Sequence, residues 1–152
     1  MNSIHIIELP KKIIVGHNII TKIPLYLKDL DIPRESTIAV ITGPTVYNIV
    51  GKKVIDILED SGYNIYHWII EKPLKSIVDE LMDESIDVDA FIGIGGGKSI
   101  DAAKYLAAKK SKIFISVPTA ASHDGISSPF ASLKGFNKPT SIKAVPPTAI
   151  IA

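Results

Sequence analysis

Three consecutive glycines, Gly95, Gly96 and Gly97, follow an apolar run at residues 91–94 and lead straight into Lys98, Ser99 and Asp101. Strand, glycine turn and helix in immediate succession is how a backbone holds a phosphate. N–H groups at the turn point outward, and the helix N-terminus adds positive potential. A Cβ there would block close approach of the backbone or forbid positive φ. One glycine would satisfy an ordinary turn, so three in a row point to a phosphate. Lys98 would neutralise that charge, or simply be a solvated helix start. Ser99 either caps the helix or donates to the phosphate. Asp101, placed in the first helical turn, would meet the helix dipole favourably even without a ligand.

Two familiar motifs fit less well. The dinucleotide fingerprint GxGxxG is met at Gly93 and Gly95 but has Lys98 at its third position. The nucleotide loop GxxxxGK[ST] ends correctly at Gly97, Lys98 and Ser99 but would need a glycine where Ile92 stands. A second small, polar stretch, residues 117–129, offers hydroxyls at Thr119, Ser122 and Ser128 and an adjacent His123–Asp124 pair. An Asp before Gly is usually an Asx turn. Here it could equally bind a substrate hydroxyl or polarise water. His5, His17, His67 and His123 are scattered, without metal-ligand spacing.

The elements that would position these groups alternate. Apolar runs at 37–41, 64–70, 90–94 and 112–117 read as strands, and apolar stripes between them read as helices. The stripe after Pro44 comprises Val46, Ile49, Val50, Val54, Ile57 and Leu58; the next comprises Ile77, Val78, Leu81 and Ile86. Residues 99–109 form the helix after the glycines. This pattern predicts an α/β fold, a parallel sheet with right-handed crossovers. Upstream, residues 4–9 and 13–15 read as short strands, and Asn18 as the cap of a helix that Pro24 kinks or shortens. Downstream, 130–134 and 141–145 predict a β-hairpin, and 149–152 one more strand.

In such sheets ligands bind outside the carboxyl ends of the strands. Four segments then share one edge: Thr42-Gly43-Pro44, Glu71-Lys72-Pro73, residues 95–99 and residues 119–125. Their convergence says more than any one of them.

Composition narrows the class. The 152 residues carry 17 basic and 16 acidic side chains, with Arg34 as the sole arginine, so no nucleic-acid-binding face is expected. With no cysteine there is no thiol nucleophile and no disulfide. The N-terminus lacks the basic region of a signal peptide, and no run approaches the ~20 apolar residues of a membrane span. A cytoplasmic protein of one domain, residues 1–152, is the expectation.

The paired motifs GIGGGKSIDAAK and FISVPTAASHDGISSP closely resemble archaeal glycerol-1-phosphate dehydrogenases. These form a branch of the iron-containing alcohol dehydrogenase, glycerol dehydrogenase and dehydroquinate synthase superfamily. The resemblance implies a Rossmann-like NAD(P)-binding domain, with helices on both faces of its sheet, followed by an all-helical domain absent from these residues. It implies that Gly43, Gly95, Gly96, Gly97, Lys98, Ser99, Asp101, Thr119, Ala120, Ala121, Ser122 and Ser128 bind the cofactor, and that Asp124 contacts substrate. It further implies reduction of dihydroxyacetone phosphate to sn-glycerol 1-phosphate, the backbone precursor of archaeal membrane lipids. Zinc would polarise the ketone from one Asp and two His ligands lying beyond residue 152. Homo-oligomerisation is expected of the full-length protein, and the chain itself reads as a piece of it that binds cofactor weakly without turnover. Alternatives are a glycerol or polyol dehydrogenase, a dehydroquinate synthase-like enzyme, or a non-catalytic nucleotide-binding module. Where NAD-selective relatives carry an acid after the first strand of the alternating unit, this chain has Gly43, so NADP(H) should be tolerated.

Overall fold

The computed structural model describes residues 3, 4, 6, 8–72, 75–84, 87–119, 128–134 and 139–152. Its main sheet has six strands: β1 (Lys12–Ile14), β2 (Thr37–Thr42), β3 (Asn64–Ile69), β4 (Ala90–Gly95), β5 (Ile113–Pro118) and β8 (Ala149–Ile151). They run in the order β1-β8-β5-β4-β2-β3, and every pairing is parallel. Strands β6 (Phe130–Lys134) and β7 (Pro139–Lys143) form a separate antiparallel hairpin. The hairpin is as expected, with its second strand starting two residues earlier than the sequence pattern placed it.

Helices cover both faces. On one, α1 (Ile23–Asp29) and α3 (Lys52–Asp60) bury Ile23, Leu27, Val54 and Leu58 against Ile38, Val40, Ile92 and Ile115. On the other, α4 (Lys75–Asp83), α5 (Gly97–Lys110) and the hairpin bury Val78, Ile100, Leu106 and Leu133 against Ile41, Phe91 and Phe114. Strand β4 is buried along its whole length. That explains its unbroken apolar run, since neither of its faces meets water.

Crossover handedness fixes the rest. The chain leaves β2 through α3 on one face to reach the edge strand β3. It returns through α4 on the other face to β4 and continues through α5 to β5. Right-handed crossovers require opposite directions of travel to use opposite faces. The reversal places a topological switch point between the carboxyl ends of β2 and β4, where crevices open in such sheets.

Several local expectations need correction. Among described residues 3–10 there is no strand, and Ile4, Ile6 and Leu9 are exposed. Asn18 adopts a left-handed conformation and makes no side-chain cap; a 3-10 turn, Ile19–Lys22, follows it, and Pro24 falls in the first turn of α1. Proline is tolerated there because that N–H has no helical partner. The helix after β2 begins as α2 (Pro44–Val46) and passes through a π-helical stretch, Tyr47–Gly51, before α3. The wider π turn rotates the stripe, so Ile49 is 76% exposed and Ile55 joins the core instead. Ile77, expected inward, also faces solvent, leaving Val78 as the buried anchor of α4. Ile86 lies outside the described residues.

Close approach of α5 to β4 depends on Gly93. A Cβ there would lie 3.0 Å from Ala103 Cβ, 3.1 Å from Ile100 Cα and 3.2 Å from the Ser99 carbonyl oxygen. Two of those atoms are backbone, so the helix rather than a side chain would have to move.

Candidate functional site

Strand β4 ends in Gly95, whose φ of 135° suits a glycine and turns the chain sharply toward α5. Gly96 is the N-cap of α5, in extended conformation, and the helix begins at Gly97. Ser99 is therefore not the cap. It is the third helical residue, and it is buried. The first N–H groups of α5 have no partner within the helix and sit at the switch point described above.

Facing them across the crevice is the turn after β2. A cavity of about 420 Å3 opens between the two, lined by Gly43, Pro44, Thr45 and Val46 on one side and Gly96, Gly97, Lys98 and Ser99 on the other. Ile70 and Glu71, just past β3, complete its wall. A Cβ built on Gly96 meets nothing within 4 Å, so the glycine leaves open space beside the cavity. A Cβ on Gly43 would make only ordinary contacts, 3.8 Å from the Ile70 carbonyl oxygen and 3.9 Å from Ser99 Oγ. Backbone bonds hold the rim in place. The Ile70 N–H donates to the Thr42 carbonyl at 2.8 Å, and the Thr119 N–H donates to the Gly95 carbonyl at 3.0 Å.

Five of the sequence-predicted residues thus line one cavity: Gly43, Gly96, Gly97, Lys98 and Ser99. Gly95 forms its turn, and Thr119 is tied to that turn. Ser128 is engaged elsewhere, accepting a hydrogen bond from the Phe130 N–H at 3.1 Å. Ala120, Ala121, Ser122 and Asp124 lie outside the described residues. Asp101 is not in the first turn of α5 but in the second, buried at 7% exposure, with one carboxylate oxygen 3.9 Å from the Lys104 ammonium.

Lys104 is the residue that sequence reasoning missed. It is fully buried, and its ammonium donates to the Phe130 carbonyl at 3.0 Å. It thereby pins α5 to the first residue of β6. Burial pulls its pKa below the ordinary lysine value, with the Asp101 carboxylate opposing that shift. The available signal was its position, three residues after Asp101 and four after the buried Ile100 on one helix face. On the outer side of α5, the Tyr105 hydroxyl donates to Asp79 at 2.9 Å, and Lys75 donates to the other oxygen of Asp79 at 2.7 Å. The first of these bonds clamps α5 to α4, and the second, within α4, holds the Asp79 carboxylate in place.

Among the described residues no three His, Asp or Glu side chains come together to hold a metal ion. The resemblance implies zinc ligands beyond residue 152, which these residues do not include. Among the same residues, no helix is long and apolar enough to cross a membrane.

The chain is similar in sequence and in fold to known proteins. The family model for iron-containing alcohol dehydrogenase matches residues 14–152. A Staphylothermus marinus protein named glycerol-1-phosphate dehydrogenase, NAD(P)+, is 48% identical over 152 residues, which cover 99% of this chain and 43% of that protein. A protein of the same name from Sulfurisphaera tokodaii is 43% identical, covering 97% and 42% respectively. The chain therefore spans less than half the length of these relatives. Among solved structures, glycerol dehydrogenase from Schizosaccharomyces pombe superimposes with a TM-score of 0.86 at 24% identity, over 99% of this chain and 39% of that one. An NADH-dependent butanol dehydrogenase from Thermotoga maritima does so with a TM-score of 0.80 at 22% identity, over 97% and 43%. These likenesses show a shared fold. With the family model spanning nearly all of its length, this chain belongs to the iron-containing alcohol dehydrogenase family.

Proposed function

We propose that this chain is the NAD(P)-binding part of an enzyme that reduces dihydroxyacetone phosphate to sn-glycerol 1-phosphate. The observation that carries the reading is the cavity at the switch point, with the Gly95–Gly97 turn and the α5 N-terminus on one wall. Relatives at 40–48% identity bear the name glycerol-1-phosphate dehydrogenase, NAD(P)+. The residues present suit a pyrophosphate. Gly96 leaves space for it, the free N–H groups of the first turn of α5 donate to it, and Lys98 at the mouth balances its charge. Gly43 places no carboxylate on the opposite wall, which leaves room for a 2′-phosphate. When bound, the nicotinamide supplies hydride to the ketone carbon.

In this reading Thr119, Ala120, Ala121, Ser122 and Ser128 contribute to the nicotinamide side, Asp101 belongs to the cofactor site from the second turn of α5, and Asp124 contacts substrate. The product would serve lipid synthesis in the cytoplasm, in a zinc-dependent homo-oligomer. The test is an assay of the complete gene product. Addition of dihydroxyacetone phosphate should consume NADH or NADPH and yield sn-glycerol 1-phosphate. Turnover of glycerol or dihydroxyacetone with no turnover of the phosphorylated ketone would overturn the assignment in favour of a polyol dehydrogenase.

A further inference from the structure

We infer that Glu71 sets the balance between NADH and NADPH by meeting the ribose of the adenosine half of the cofactor. The inference rests on the cofactor reading above. Strands β4, β2 and β3 are consecutive neighbours in the sheet, so the turns that follow them lie in a row along one edge. The glycine turn follows β4, Gly43 follows β2, and Ile70–Glu71 follows β3. At roughly 4.8 Å between strands, Glu71 stands about 10 Å from the phosphate-holding turn. The attached ribose and the reach of the glutamate side chain together cover that span.

Glu71 lines the cavity, whereas the neighbouring Lys72 does not. Its position is anchored, because the preceding Ile70 N–H is bonded to the end of β2. Among the described residues no ion pair uses its carboxylate. A carboxylate at that place accepts hydrogen bonds from the ribose hydroxyls of NADH and repels the doubly charged 2′-phosphate of NADPH. The acid that dinucleotide-binding sheets use for the ribose is thus supplied here from the turn after the edge strand β3, since Gly43 follows β2. Glu71 is exposed, so its repulsion is open to screening by salt.

Fluorescence titration of NADH and NADPH against the wild-type protein and Glu71→Gln, at low and at physiological ionic strength, tests this. The variant should shift the ratio of the two dissociation constants about tenfold toward NADPH at low salt, which corresponds to about 1.4 kcal/mol. The shift should shrink as salt rises. A protein that binds both cofactors with a ratio unchanged within about twofold by the substitution would overturn the inference alone, since a factor of two is far below one interaction of this kind. A wild-type protein that binds neither would overturn the cofactor reading and this inference together.

Discussion

Replacing Lys104 by methionine should lower the stability of the fold by roughly 3 kcal/mol, the loss typical of removing one partner from a buried charged pair. Methionine fills a similar volume, so little of that loss is a cavity. What remains is the Phe130 carbonyl without its donor and the buried Asp101 carboxylate without its cation. Urea unfolding of the two proteins measures the difference. A loss below about 1 kcal/mol would show that the ammonium is not structurally engaged. The double variant Asp101→Asn, Lys104→Met should recover part of the loss, because the buried charge that Lys104 opposed is gone.

The same lysine predicts a pH dependence. Its pKa is lowered in the folded state by burial, against a partial opposing pull from Asp101. Between that lowered value and the ordinary lysine value of 10.5, the unfolded chain binds more protons than the folded one. Its contribution to stability therefore rises with pH through that window. Tyr63 and Tyr105, both raised chiefly by burial, act in the opposite sense above pH 10, because their neutral forms are favoured in the fold. Comparing wild type with Lys104→Met cancels these. The stability advantage of the wild type should widen as pH climbs toward 10.5.

The second large effect concerns Gly96. Aspartate is a good N-cap, and a Cβ at this position meets nothing within 4 Å. Gly96→Asp should therefore leave stability unchanged or raise it by a few tenths of a kcal/mol. It should weaken cofactor binding more than about tenfold, because the new carboxylate takes the α5 N–H groups and repels the pyrophosphate. Gly93→Ala is the contrasting control. It lies out of the cavity lining, yet its methyl would push α5 away from β4, at a cost of about 1–3 kcal/mol. Loss of binding in Gly96→Asp through unfolding, rather than in a fully folded protein, would contradict the assignment of that turn.

The strands most legible in the sequence were β2, β4 and β5, because burial on both faces demands unbroken apolar runs. The glycine turn was legible for the same reason that it exists, since no other residue type allows that conformation and that approach. Strand order was not. A sequence shows that β2, β3 and β4 follow one another but not that β4 returns to the inner side of β2, and the switch point depends on that return. The stripe from Val46 to Leu58 was read with a period of 3.6, whereas a π turn shifts its phase, which exchanges Ile49 for Ile55. Lys104 was hidden by its type. A lysine in an alanine-rich helix reads as solvated until a carbonyl from a hairpin 26 residues away is found beside it. Glu71 was seen on the ligand edge but passed over as a turn residue, and only the cavity wall singles it out.

The central claim is that the turn between β4 and α5 holds the pyrophosphate of NAD(P). At 16.4 kDa the chain suits amide-resolved NMR. Titration with NADH, and separately with ADP-ribose, should move the amide resonances of Gly96, Gly97, Lys98 and Ser99 first and furthest, with Gly43 and Glu71 following. The same pattern with both ligands would place the pyrophosphate at this turn. Shifts confined to other parts of the sheet, or none at millimolar ligand, would contradict it.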